Sequence, residues 1–457
     1  MKRNQQDLTS GPLLSGIIAY TVPIILTSVL QLLFNAADLV VVGRFRGSLA
    51  VGAVGVTGAI TNLIVNLFIG LSIGAGVSVA HAIGAKQDKQ LHRLIHTSMF
   101  VALAGGALLT IIGVSCSGLF LRLMDTPADI LPLSTTYMRI YFCGMTFTMV
   151  YNFCAAILRA AGDTKSPLLY LTIAGVLNVA LNLFFVMVCG MSVEGVALAT
   201  IISQAVSAVL VVRALMRRTD GCHLELGEIL PHKPQLLRII RIGLPAGIQG
   251  CLFSISNVII QSSINSFGDT VVAGSAAAAN IEGFVYVAMN AFYQTTINYT
   301  GQNVGAHRYD RVKKILLLCS LCVTVTGILL GGGVYLAGKP LLSIYITDSP
   351  EAIAYGITRL SFIGLPYFLC GLMEVSTGGL RGMGASMAPM IISVLGVCGI
   401  RLGWIYTIFQ DPRFHSLESL FVSYPISWII TLLIQFAAFV VVYRRHVKQF
   451  KAGTLHP

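Results

Sequence analysis

Charged residues are scarce in this chain. Asp, Glu, Lys and Arg make up 11% of 457 residues, and only 18 are acidic. A soluble domain carries about 25% charge, so an ordinary water-facing surface is excluded. No G-x-x-x-x-G-K-[ST] loop is present, which leaves nothing to cradle the phosphates of ATP. No cluster of His, Asp, Glu and Cys gathers near one helix end, which argues against a membrane-embedded enzyme. The ten cysteines are scattered. Cys319 and Cys322 form one C-x-x-C, but without a second pair and inside an apolar stretch they read as packing. The basic residues lack interleaved aromatics, so no nucleic-acid partner is expected.

What the chain has instead is apolar length. Hydrophobic residues reach 55% and the mean hydropathy is +0.81. A bilayer-spanning helix needs roughly 20 apolar residues. Twelve such stretches are read, at about 13–42, 49–80, 94–120, 134–158, 167–190, 194–215, 238–266, 271–302, 314–338, 355–379, 387–409 and 419–443. A span must satisfy its own backbone hydrogen bonds, so these are helices. The short alternating segments of a β-barrel are missing. Lys2 and Arg3 precede a stretch much longer than a cleavable signal, with no small-residue cleavage site, so that stretch is kept as the first span.

The chain is also internally duplicated. Residues 158–168 read LRAAGDTKSPL and residues 380–390 read LRGMGASMAPM, 222 residues later. The same offset aligns Pro23 with Pro245 and Asn35 with Asn257, and one residue less aligns Gly84-Ala85 with Gly305-Ala306. Six spans per copy return the chain to its starting side, so the repeats are parallel, the pattern of a two-lobed transporter. The expected organisation is an N-lobe over 1–215, a cytoplasmic linker over 216–237, a C-lobe over 238–443 and a cytoplasmic tail over 444–457. With both termini inside, cytoplasmic segments hold 22 of the 30 Lys and Arg and outer segments seven, the latter including Arg359. The net charge of +12 then reflects topology and contact with acidic lipid headgroups. Gly70/Gly74 and Gly327/Gly331 are small-xxx-small pairs, read first as close helix packing and second as hinges.

Any chemistry falls to polar groups at membrane depth. Three acids lie within helices: Asp38, Glu282 and Glu374. A carboxylate in hydrocarbon costs a few kcal/mol, so it faces a cavity or a partner. Asn178 and Asn182, four residues apart in the fifth span, share a helix face, and Thr200 lies in the sixth. With Asp38 they offer oxygens for a small hard cation, or hydrogen bonds to a protonated Asp38. The plainer reading is that the Asn and Thr side chains bridge helices.

These residues carry a family resemblance. Asp38 before Val-Val-Val-Gly, Gln302-Asn303-Val-Gly-Ala, and the two Leu-Arg-x-x-Gly-x-x-x-x-Pro segments are similar to those of the multidrug and toxic compound extrusion (MATE) family over about residues 12–445. The resemblance implies an all-α fold of twelve transmembrane helices in two six-helix lobes around a central cleft. It implies antiport of small organic, often cationic, compounds against Na⁺ or H⁺, in the cytoplasmic membrane of a bacterium, by a monomer without cofactors. Asp38, Asn178 and Thr200 match the N-lobe ion site of one bacterial branch. Asn182 stands where that branch often has a second Asp, which removes one negative charge. Another branch has a Glu where this chain has Phe253, so that C-lobe ion site is not expected.

Further candidates follow. Glu282 and Glu374 either face the cleft or pair with Arg401, read here as the only Arg inside a span. Phe34, Tyr151, Phe284, Tyr286, Tyr293 and Tyr367 are candidates for stacking on flat cations, although packing is the commoner fate of any one. His81 and His96 lie near cytoplasmic helix ends and read as solvated or capping groups. Pro23 breaks the hydrogen-bond ladder of the first helix and is the expected hinge. A lipid-linked sugar flippase of the same superfamily is the alternative, but its cleft requires more positive charge than Arg401 supplies.

Overall fold

The computed structural model describes residues 6–347 and 349–452. Lys2 and Arg3, on which the reading of the N-terminus rests, lie outside the described residues, as does the end of the tail. Every regular element among the described residues is a helix. Eleven helices are long and apolar enough to cross a membrane, and a bent pair makes twelve. In chain order they are α1 Leu13–Arg46, α2 Ser48–Gly84, α3 Asp88–Leu123, α4 (Leu131–Cys143 and Met145–Ala160, meeting at 48°), α5 Lys165–Val188, α6 Val193–Met216, α7 Lys233–Asn265, α8 Asp269–Gly305, α9 Tyr309–Leu336, α10 Pro350–Gly382, α11 Met387–Gln410 and α12 Leu417–Lys451.

The backbone repeats as the sequence does. Positive φ angles occur at Gly47 and Gly268 (81° and 98°), at Lys86 and His307 (54° and 56°), and at Gly162 and Gly384 (86° and 84°), each pair 221 or 222 residues apart. The fourth helix of each copy is interrupted at matching positions, at Gly144 and at Pro366. In the Leu-Arg-x-x-Gly-x-x-x-x-Pro motif the glycine takes the left-handed turn between the fourth and fifth helices. The proline falls in the first turn of the next helix, where a missing N–H costs nothing. Asp163 closes the first copy of this turn by accepting from the backbone N–H and the hydroxyl of Ser166.

The chain forms two compact units. One comprises residues 1–7 and 26–251, the other 8–25 and 252–457. The division falls at 251/252 and 25/26, inside α7 and α1, whereas the sequence pattern placed it in the 216–237 segment. The second unit holds the N-terminal arm firmly. Asn303 donates to the Leu8 carbonyl (2.9 Å), Arg311 donates to the Ser10 and Gly11 carbonyls, Thr21 bonds Thr295 (2.8 Å), and Tyr20 meets Tyr299 edge to face. In the first unit the connecting segment is docked on α3. His96 Nε2 accepts the Glu225 N–H (3.0 Å) while its Nδ1 faces the His92 carbonyl (2.7 Å), and Thr97 accepts the His232 N–H (3.1 Å). Cys222 and Leu224 are buried there.

Small residues let backbones touch. A Cβ on Gly70 would lie 2.2 Å from the Gly247 nitrogen, and one on Gly74 would lie 2.3 Å from the Ile239 carbonyl oxygen. The α2 pair therefore meets a second pair, Gly243 and Gly247, on α7. Gly327 and Gly331 seat α9 against α10 at Phe368 and Gly364. Overpacking such a contact costs about 1–3 kcal/mol. Gly74→Ala is therefore expected to lower the melting temperature of detergent-purified protein by at least a few degrees. Gly333→Ala, whose Cβ meets nothing within 4 Å, is expected to leave it unchanged or raised. Equal melting of the two variants would contradict the α2–α7 contact.

Candidate functional site

In the first unit, Phe34 and Asp38 stand one turn apart on α1, and Gly175, Asn178 and Asn182 share a face of α5. A Cβ on Gly175 would lie 1.7 Å from the Phe34 ring, so the ring rests on bare α5 backbone. One turn further, Asn182 Nδ2 donates to Asp38 Oδ1 and lies 3.3 Å from Asn178 Oδ1. The Thr200 hydroxyl on α6 is within hydrogen-bonding reach of Asp38 and 3.0 Å from the Val196 carbonyl. It carries a single proton, so these two acceptors compete for it. Asn178 and Asn182 are buried, and Asp38 is half-buried.

Asn182 Oδ1 has no hydrogen-bond partner although it is buried. A half-turn of this amide exchanges a donor facing Asp38 for an acceptor. The cluster can therefore serve two states. An ionised Asp38 is met by amide N–H donors. A proton or hard cation at Asp38 is met by amide, hydroxyl and carboxylate oxygens. The structure thus brings Asp38, Asn178, Asn182 and Thr200 together. Sequence reasoning missed Tyr137 and Tyr141 of α4, which stack on each other (ring centroids 6.0 Å) within electrostatic reach of Asp38.

In the second unit the charges fall differently from the sequence expectation. Glu282 on α8 pairs with Arg359 on α10, not with Arg401. The guanidinium forks onto the carboxylate at 3.0–3.3 Å, and its third nitrogen donates to Ser275 Oγ at 2.9 Å. Both partners are buried, so Arg359 is no outer-loop cation, and Arg401 is not the only arginine inside a span. Arg359 sits in the third turn of α10 and reads as a helix end by position alone; only packing against α8 reveals its partner. Arg381, one of the 22 basic residues counted in cytoplasmic segments, is also buried and donates to the Tyr293 hydroxyl.

Arg401 pairs with neither glutamate. It is 5% exposed, its Nε donates to Ser427 Oγ (2.9 Å), and Nη2 finds no acceptor among the described residues. Its guanidinium carbon stands 3.9 Å from the Tyr424 ring centroid and 5.6 Å from that of Trp428. Desolvated cation–π contact gains about 2 kcal/mol, less than the several kcal/mol that burying an ion costs. Glu374 is buried on α10, in electrostatic interaction with Arg381.

The aromatic candidates divide. Tyr151 is a core residue of the first unit, 4% exposed, donating to the Pro167 carbonyl, and does not line open space. Tyr293 is buried with Arg381, whereas Phe284 and Tyr286 are exposed. Tyr367 lies against Trp428, the rings tilted at 53° with centroids 5.3 Å apart. His81 bonds Arg238 (3.0 Å), and His96 holds the connecting segment, both structural roles. Pro23 lies inside an unbroken α1.

The family model described as MatE matches residues 23–184 and again 245–407. The two matches start 222 residues apart, at Pro23 and Pro245. The chain belongs to the MATE family, whose members are membrane transporters and not enzymes. It is 29% identical over 403 residues to "Probable multidrug resistance protein YpnP" of Bacillus subtilis, covering 86% of this chain and 88% of that one. It is 27% identical to "Probable multidrug resistance protein NorM" of Thermotoga maritima, covering 84% and 83%. Among solved structures, an outward-facing multidrug resistance MATE family transporter superposes with a TM-score of 0.90 at 21% identity, covering 98% and 99%. The Vibrio cholerae MATE transporter VcmN in its bent form gives 0.87 at 21%, covering 95% and 98%.

Removing one partner of a buried ion pair strands the other, at about 3–5 kcal/mol. Arg359→Met is therefore expected to destabilise severely, as read by the fraction of monodisperse protein and its melting temperature. Adding Glu282→Leu is expected to restore most of the loss. A double variant as unstable as the single one would overturn the pairing.

Proposed function

We propose that this protein exports small organic compounds across the cytoplasmic membrane, driven by inward movement of Na⁺ or H⁺ bound at Asp38. The observation that carries this reading is the Asp38 cluster. It is the one carboxylate of α1, it is met by amides and a hydroxyl, and it has no counter-cation among the described residues. The names of the relatives as multidrug resistance proteins support the cargo class.

An ion entering from outside neutralises Asp38 and turns Asn182 from donor to acceptor. The polar face of α1 is then cheaper to bury. Pro23 lacks the N–H that would hold the preceding turn, so α1 bends there at low cost. The compact units divide two residues beyond it, at 25/26, which supports this position as the hinge. Alternation between outward- and inward-open states then moves cargo out as the ion moves in. Such coupling requires that ion and cargo differ in affinity for the two states. The basic bias of the inner segments supports cytoplasmic termini; with both buried, Arg359 leaves the outer set and Arg381 the inner one, and the bias stands.

Reconstituted vesicles with a Na⁺ or a pH gradient imposed separately test this directly. Wild type is expected to move cargo with one of them and with neither when both are collapsed. Asp38→Asn should reduce gradient-driven flux at least tenfold while the protein remains inserted and folded. Wild-type flux in that variant would exclude Asp38 as the coupling residue. Pro23→Ala is expected to slow turnover more than it weakens cargo binding, and unchanged turnover would rule out the bend.

A further inference from the structure

Of the three buried arginines of the second unit, Arg381 donates to Tyr293, and Arg359 and Arg401 differ sharply in their partners. Arg359 is answered by a glutamate and a serine. Arg401 is answered by one serine and two aromatic faces, with a nitrogen that has no protein acceptor and no carboxylate within ion-pair distance among the described residues. Sequence and packing have not supplied this cation with a counter-ion, although Glu374 lies on the neighbouring α10. A π-helical turn, Val394–Gly399, immediately precedes Arg401 and shifts the register of the side chains that follow; among the described residues Phe184–Val188 and Leu360–Gly364, the latter beside Arg359, are π-helical as well.

We propose that Arg401 is the receptor for a carboxylate group on an aromatic compound. The guanidinium offers a planar set of donors that suits a carboxylate in bidentate fashion. The rings of Tyr424, Trp428 and Tyr367 form the apolar wall against which an attached aromatic ring packs. Cys370, one turn before Glu374, interacts electrostatically with both Glu374 and Arg401, which places an acid and a base around one region. The cargo class that fits is therefore one bearing an anionic group, alone or together with a cationic one. That cargo identity rests on the export reading, but the binding site does not.

Trp428 supplies the readout. In a Trp404→Phe background it is the single tryptophan of the chain. Purified protein is titrated with benzoate and with its uncharged isostere benzamide, with no ion gradient present. Benzoate is expected to change Trp428 emission saturably, and benzamide is not. Arg401→Gln should weaken the benzoate response at least tenfold, and Arg401→Lys should retain part of it. The proposal is overturned by a missing benzoate response, by equal responses to the two compounds, or by a response that survives Arg401→Gln. If Arg401→Gln does not fold, the benzoate–benzamide comparison still decides. Because no gradient is involved, this result stands apart from the vesicle flux that tests export.

Discussion

A charge set in hydrocarbon cannot be answered by bulk water, and the placement of polar groups in this protein follows from that constraint. Three solutions coexist. Glu282 and Arg359 cancel each other, with Ser275 completing the guanidinium's bonds. Asp38 is met by an amide that can present either of its ends, so its charge is tolerated but not fixed. Arg401 is laid on aromatic rings and left short of an acceptor. The first solution is closed within the protein, while the other two leave a polar atom without a protein partner.

Duplication gave the two halves one frame but not one chemistry. The left-handed turns recur at 47 and 268, 86 and 307, and 162 and 384. The residues of the candidate sites do not recur. Counting 222 residues on from Asp38, Asn178, Asn182 and Thr200 reaches Ile260, Ile400, Trp404 and Val422, all apolar. Counting back from Arg359 and Arg401 reaches Tyr137 and Val179. Each copy has therefore kept the helical scaffold, whose backbone bonds are compulsory in lipid, and a few polar residues such as Asn35/Asn257 and Arg159/Arg381, while the residues of the two charged sites differ.

Much of this was legible in the sequence, for identifiable reasons. Span number follows from apolar length, the repeat from Gly and Pro at fixed offsets, and the Asp38 cluster from polar residues too few to overlook. The partner of Arg359 was not legible, because its place early in α10 looks like a helix end until α8 is packed against it. Tyr151 is packed in the core, the commoner fate of such a ring; ring chemistry says nothing about which helix face is inward. The α7 glycines 243 and 247 were visible, but their meaning depends on α2 lying opposite. The division of the chain inside α1 and α7 left no compositional mark, since both helices run on through their prolines.

The arm over residues 8–25 belongs to the second unit, and this governs the order in which the molecule can be completed. The Asn303 side chain that holds the Leu8 carbonyl lies 295 residues downstream of it. Arg311, which holds the Ser10 and Gly11 carbonyls, comes later still. Residues 8–25 are therefore made well before the side chains that seat them. A nascent chain that stops in the connecting segment carries a first helix without Thr295 and Tyr299, its partners at Thr21 and Tyr20, so synthesis of the second copy is what seats it.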